Sequence, residues 1–559
     1  MIAPVAYATE FLLLLAPGYA VARAVVRRSN FDLAATPLVA YAITALAGYA
    51  AFWIYLWNPL AGRAVSVGWI AAALVALVLL ARGGFAREEA LPLALTFLTG
   101  LFYLAVLYLP STGIPAANRF FVLRPPDNII PQLFAERLYL GLDPRHLFGD
   151  WLSSDRPPLQ TGIQLLIRPL AFAPQYTDVV YEIAGAVAQL AWLPATWLLC
   201  VRAGLSPRGR ALVLALAILS GYCLYNTVYT WPKLLAAAFS LGALVFALPA
   251  PRAGRVASFA CAGICAALAL LAHGGAVFFV FPAFALLAAA RRLRLDRALA
   301  LAVTSGVVLL VPWAAYQRFY DPPGDRLLKM HLAGIVPVDP RPAGRAIAEA
   351  YARTPPSEIV RNKLANVQTA FGAAPLMEAA TMSEPLGPIN VWRVREREHV
   401  TAALGVANLG WLALPWWWRR ADRTARRSVG ALLVLALCST AFWSVALWGP
   451  GATVTTHGAY ALVLILFVVL GAALAELPAP LQHTIAGLAL ADLVVTWIAG
   501  SLPDAARVAP SLDLLMLVLV PLAATAVGIA LVRSAAEPQP AVVAAPPGDR
   551  RRTQVERPS

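Results

Sequence analysis

Apolar runs long enough to cross a bilayer recur from one end of this 559-residue chain to the other, separated by short polar breaks. A crossing needs roughly 20 residues, and about fifteen windows qualify on that measure. They lie near 5–27, 35–57, 66–82, 91–109, 178–200, 210–227, 233–249, 256–272, 276–290, 298–316, 402–418, 428–448, 460–476, 482–500 and 511–533. Backbone polar groups in lipid must be satisfied within the segment itself, so these runs predict helices. The strict alternation of membrane-barrel strands is absent. The expected fold is therefore all-α, a polytopic transmembrane helix bundle with two external loop regions carrying interfacial helices.

Two stretches are too polar to span and too long to be turns. They divide the chain into N-terminal transmembrane helices (1–110), an external loop with interfacial helices and a candidate active site (111–177), a transmembrane core (178–316), a second external loop or small domain (317–401), C-terminal transmembrane helices (402–533) and a disordered, Pro- and Ala-rich cytoplasmic tail (534–559). Function tends to sit on such loops, held by a rigid scaffold.

Composition agrees with the pattern: 60% of residues are hydrophobic and 13% charged. The formal charge of +15 is almost entirely an arginine excess, since Lys233, Lys329 and Lys363 are the only lysines. Nineteen arginines fall in the short loops of one side: Arg23, Arg27 and Arg28; Arg82 and Arg87; Arg202, Arg208 and Arg210; Arg252 and Arg255; Arg291, Arg292, Arg294 and Arg297; Arg419, Arg420, Arg423, Arg426 and Arg427. The other side's short loops hold Arg63, Lys233 and Arg507. That asymmetry is a topology signal rather than a nucleic-acid surface. It predicts a multi-pass protein of a bacterial inner membrane with a periplasmic N-terminus, a cytoplasmic C-terminus and both long loops outside. Positive residues follow the first apolar run, unlike a cleavable signal peptide. The five cysteines all lie within apolar runs and form no metal or disulfide pattern.

Candidate chemistry gathers on the outer side. In the first loop, Asp127 and Asn128 precede a segment with Ile130, Leu133, Phe134 and Leu138 on one helical face and Gln132, Glu136 and Tyr139 on another. This predicts an interfacial amphipathic helix, with Asp127 placed either to cap it or to act chemically. Next, Asp155 and Arg156 precede Pro157-Pro158-Leu159, where the prolines fix a turn. Such a turn suits either a surface ion pair or recognition of an acidic or hydroxylated substrate. Trp231-Pro232-Lys233 enters a span, where the lysine either snorkels or meets a lipid phosphate. His273 and His457 sit at short outer turns, as solvated imidazoles or as proton-exchanging groups.

An Asp before an interfacial helix, followed by Arg156-Pro157-Pro158-Leu159, resembles the membrane-embedded C-type glycosyltransferase superfamily, which includes aminoarabinose and mannosyl transferases. The resemblance implies a helical membrane core, interfacial helices in the first large external loop and a polyprenyl-phosphate-sugar donor. It also implies an Asp acting on the acceptor, a place that Asp127 takes here. Asn128 stands where the family's Asp-Glu pair has Glu, Arg156 stands at its Lys or His position, and four spans rather than one precede the loop.

These observations lead to the expectation of a sugar transferase using a lipid, glycan or protein acceptor. Asp127 would be the base, with Asp155 as its substitute. Arg156 and Lys233 would lie near the donor phosphate, and Glu136, Tyr139, Trp231, His273 and His457 would line the substrate site. Membrane lipids are expected neighbours and nucleic acid is not. No ligand spacing demands a metal, although a divalent ion is compatible with the chemistry. An O-antigen ligase or polymerase is the second enzyme class, resting on Arg318, Arg326, Arg345, Arg353 and Arg361 of the second loop. A lipid or glycan transporter is the third. Against it stand the few ionisable residues inside spans (Glu10, Glu182, Glu476 and Asp492) and the lack of an internal repeat.

Overall fold

A computed structural model describes residues 2–107, 126–145, 147–249, 253–372, 377–378, 380–381, 399–449 and 459–498. The expected span at 511–533, the tail, Arg507 and His457 lie outside the described residues, as does the side chain of Asp127. Among the described residues the architecture is helical throughout, with one isolated bridge between Phe148 and Trp151.

Four helices open the chain: α1 (Ile2–Arg28), α2 (Thr36–Trp57), α3 (Pro59–Gly83) and α4 (Arg87–Leu107). The first polar segment contributes α5 (Ile130–Leu140) and α6 (Leu159–Ile167). The middle of the chain forms α7 (Thr177–Gln189), α8 (Trp192–Arg202), α9 (Pro207–Ile218), α10 (Gly221–Val228), α11 (Lys233–Ala247), α12 (Arg255–Ala272), α13 (Val277–Ala289) and α14 (Arg297–Ala315). The second polar segment supplies α15 (Arg326–Ala333), α16 (Ala343–Arg353) and α17 (Pro356–Phe371). Then come α18 (Val400–Leu404), α19 (Gly410–Arg420), α20 (Arg423–Ala446), α21 (Ala459–Leu474) and α22 (Ala479–Leu493).

By length and composition, nine helices among the described residues can cross a membrane. A tenth span results if α9 and α10, bent by 61° at their junction, count as one. Three expected windows, at 233–249, 276–290 and 460–476, are apolar but shorter, as Lys233–Ala247, Gly274–Ala289 and Tyr460–Leu474. The window at 402–418 is broken by a 3-10 turn at Gly405–Leu409.

Burial separates centre from periphery. Every residue of α11 is buried, and so is the most apolar stretch of Pro174–Arg202. By contrast, only 22% of the corresponding stretch of Pro59–Gly83 and 17% of that in Arg297–Tyr320 are buried, as expected of helices whose outer faces meet lipid.

The first polar segment contributes one helix to the interior. All nine residues of α6 are buried, and the helix wedges against α2. Two of its polar side chains are matched inside: Thr161 donates to the Pro131 carbonyl (3.2 Å), and Gln160 donates to the Thr230 carbonyl. The approach is close because both helices present glycine, the small-residue device of membrane helix pairs. A Cβ on Gly162 would sit 2.1 Å from the Gly48 carbonyl oxygen. Gly162→Ala is therefore expected to cost about 1–3 kcal/mol by overpacking. A lowered melting temperature in detergent would register it, and an unchanged one would mean that the wedge is loose.

Candidate functional site

Asp127 lies in a 3-10 turn, Pro126–Ile129, that runs directly into α5. The N-cap of α5 is Ile129, whose hydrocarbon side chain offers no capping bond. Its neighbour Asn128 fixes where this turn goes. Asn128 donates from Nδ2 to the Tyr229 carbonyl (3.2 Å), and its own carbonyl accepts from the Tyr181 hydroxyl (2.5 Å). The backbone carrying Asp127 is thus tied to the connection that leads into Lys233.

That connection is tightly specified. Thr230 adopts a left-handed conformation (φ 59°), rare for a β-branched residue. Gln160 holds its carbonyl, and Gly185 gives it room: a Cβ there would meet Thr230 Cγ2 at 2.6 Å. Gln189 continues the chain, donating to Gln160 Oε1 (3.3 Å) and accepting the backbone N–H of Leu235 (2.9 Å). Polar residues from α6 and α7 therefore brace the start of α11, leaving Lys233 at its first position.

Lys233 is only 2% exposed. Its Nζ lies 3.3 Å from the centre of the Trp231 ring and 5.3 Å from that of Tyr460, so the ammonium is seated on aromatic faces. Tyr460 is oriented through its hydroxyl, 2.9 Å from Asn226 Oδ1. Lys233 and His273 both line a small recess, part of it open to solvent. Below them its walls are small or apolar: Ala236, Ala237 and Ser240 on α11, Ala276 and Phe279, and Ala461 on α21. These walls belong to the three apolar helices that are shorter than the rest.

His273 caps its own turn, accepting the Gly275 N–H at Nδ1 (3.0 Å). Burial holds this imidazole well below the usual histidine range, and the charges of Lys233, Arg156 and His331 add to the effect. His331, from α15 of the second polar segment, is pushed down to about 4 by burial and then by Lys233 and Arg156. Arg156, Lys233, His273 and His331 thus form one electrostatic neighbourhood assembled from four distant parts of the chain.

Asp155 and Arg156 are both buried, in contrast to a surface ion pair. The partner of Asp155 is not Arg156 but Arg326, whose Nη1 donates to Asp155 Oδ2 (3.0 Å). Arg326 also pairs with Asp150 and donates to its carbonyl (2.8 Å). Burial raises the Asp155 carboxyl above the ordinary aspartate range, against the lowering effect of the Leu152 N–H and Arg326. Both guanidiniums lie over the Trp151 ring, Arg156 at 4.5 Å and Arg326 at 5.3 Å. Nearby, Asp321 accepts from Ser153 Oγ (2.6 Å) and the Ser154 N–H (3.1 Å), stitching the Pro-Pro turn to the end of α14.

Glu136 and Tyr139 go elsewhere. Glu136 pairs with Arg168, and the Tyr139 ring lies beneath Arg168 (4.5 Å) and Arg63 (4.7 Å). This second cluster fastens α5 to α3 and to the end of α6. Among the described residues, no group of three or more His, Cys, Asp or Glu side chains is arranged to hold a metal.

Sequence reasoning missed Arg326 and His331 as partners of the first-loop residues. For Arg326 a signal existed: Arg326 and Lys329 fall with Ala333 on the buried face of α15, where apolar residues would be the default. Spacing offers no comparable sign for His331.

No family model matches this chain, and no curated protein does. Two solved structures are similar to it. The crystal structure of ArnT from Cupriavidus metallidurans bound to undecaprenyl phosphate aligns with a TM-score of 0.46 and 15% identity, over 80% of this chain and 72% of that one. The same protein in the apo state aligns with a TM-score of 0.30 and 15% identity, over 63% and 75% of the two chains.

Proposed function

We propose that this protein is an integral-membrane glycosyltransferase that moves a sugar from a polyprenyl-phosphate-linked donor to a lipid, glycan or protein acceptor on the periplasmic face of a bacterial inner membrane. The observation that carries the reading is the buried Lys233, seated on Trp231 and Tyr460 at the head of a recess whose lower walls are small and apolar. A cation above a greasy cleft suits a ligand with an anionic head and a hydrocarbon tail. Arg156 adds positive potential around the same point, whereas the two imidazoles are held neutral by burial and the neighbouring cations.

In this reading the acceptor hydroxyl attacks the anomeric carbon as the bond from that carbon to the phosphate oxygen breaks. Lys233 and Arg156 stabilise the charge that grows on the departing polyprenyl phosphate. Asp127 takes the acceptor proton, for which it needs hydrogen-bond reach to the hydroxyl. Asn128 is its positioning neighbour, holding the turn against Tyr229. Asp155, engaged by Arg326, positions the Arg156 turn and is not the base.

Transfer from a panel of polyprenyl-phosphate sugars by purified protein tests this directly. Asp127→Asn is expected to lose turnover by about 10²–10⁴-fold, the usual contribution of general base catalysis, with donor binding retained. Asp155→Asn keeps the bulk of its turnover per folded molecule. A wild-type protein that consumes no donor sinks the transferase reading and brings transport forward. Equal activity of Asp127→Asn and wild type removes Asp127 from the base's role.

A further inference from the structure

The helix α17 presents three different faces. One is bonded to the bundle: Asn366 Nδ2 donates to the carbonyls of Ser444 (3.0 Å) and Leu447 (3.1 Å), and Lys363 Nζ donates to the Leu447 carbonyl (2.5 Å) and the Tyr351 hydroxyl (2.6 Å). A second face carries the exposed polar residues Arg361 and Gln368. The third is a line of large apolar residues, Val360, Leu364, Val367 and Phe371, spaced i, i+4, i+7 and i+11, with exposures of 58%, 59%, 39% and 38%. Contiguous exposed apolar patches on a water-facing surface are uncommon and mark contact with something apolar.

The attachment point says what that something is. Ser444 and Leu447 close the helix α20, a 24-residue apolar helix able to cross a membrane. Its outward residues Val434, Leu437 and Val445 are 47%, 70% and 65% exposed, as lipid-facing positions are. At 1.5 Å per residue α20 is about 36 Å long, slightly more than the roughly 30 Å of hydrocarbon. Its last turn therefore lies at the membrane interface, and there α17 is bolted on. Arg361 flanks the apolar line, in reach of the headgroup layer.

We propose that the Val360–Leu364–Val367–Phe371 face of α17 is immersed in the acyl chains of the bilayer, anchoring the second polar segment in the membrane. The inference is independent of the transferase reading. Its occupant is lipid, because α17 is bonded to the last turn of α20, a membrane-crossing helix whose outward residues are lipid-facing.

Nitroxide labels test it in full-length protein in nanodiscs, with Cys261→Ser and Cys438→Ser removing the two native cysteines that are not fully buried. Labels at Val360→Cys, Leu364→Cys and Phe371→Cys are expected to show a several-fold higher ratio of oxygen to nickel-chelate accessibility than labels at Arg361→Cys and Gln368→Cys. Equal ratios at all five sites overturn the proposal. So does shielding of the apolar sites from both reagents, which would assign the face to a second protein surface. Wild-type protein gives a second reading that no misfolded variant can confuse. A lipid with a photoactivatable group in its acyl chain should modify residues 360–371, and absence of label there overturns the proposal equally.

Discussion

Lys233→Met is expected to reduce sugar transfer by about 10²–10³-fold, the loss typical when one group that stabilises developing charge is removed. Methionine is the informative replacement. It keeps an unbranched stem against Trp231 and can rest its sulfur on the aromatic ring that now faces the ammonium, so packing is largely preserved. Burying an ammonium at a 2% exposed position is not a route to stability, since a desolvated charge costs more than an apolar group of the same size. The melting temperature in detergent is read beside turnover, so that the loss is expressed per folded molecule. If Lys233 acts chiefly on the departing phosphate, kcat falls. If it only holds the donor, KM rises and kcat is spared. A variant with unchanged kcat and KM would detach the phosphate from this lysine.

Arg326→Met is expected to behave in the opposite way, with a large loss of stability. The side chains of Arg326 and Asp155 are 4% and 1% exposed, and the pair joins the second polar segment to the Pro-Pro turn of the first. Removing one member of a buried pair leaves the other charge uncompensated, at a cost of about 3–5 kcal/mol. The loss should depend on pH in a definite direction. The Asp155 carboxyl already titrates above its ordinary range because of burial, and Arg326 is one of the groups opposing that rise. Without Arg326 the folded-state pKa moves further up. A carboxyl whose pKa is higher folded than unfolded binds more protons in the folded state, so folding weakens as pH rises from the ordinary aspartate range through the raised value. The deficit of Arg326→Met relative to wild type is therefore largest near neutrality and narrows as the solution is acidified. Thermal unfolding in detergent across a pH series reads this out. A deficit that is flat with pH would mean that Asp155 is not the group left stranded.

Much of the helical framework was legible in the apolar periodicity, because the constraint that makes membrane helices also makes them conspicuous. The windows at 233–249, 276–290 and 460–476, each matched by a helix to within two residues, are those that gather around the recess. Within 111–177, Gln160, Thr161 and Gln164 are buried, two of them with partners contributed by other elements that no local pattern reveals. Lys233, Trp231, His273 and Arg156 were visible as isolated cations and aromatics at one end of the bundle, and the fold joins them. Glu136 and Tyr139 shared a helical face with Gln132, but two arginines beyond the periodicity of α5, Arg63 and Arg168, draw them into a different cluster. Asp155 beside Arg156 invited a pairing by adjacency. Only the tertiary arrangement supplies Arg326, 171 residues further along.

The shortness of α11 has a mechanical consequence. A helix of 15 residues such as α11 reaches about 22 Å, some 8 Å less than the hydrocarbon it stands in. Because every residue of α11 is buried, lipid does not meet this shortfall, and the remaining depth is filled by protein and water rather than by a deformed bilayer. A phosphate that reaches Lys233 therefore exchanges headgroup water for protein donors without having to cross hydrocarbon.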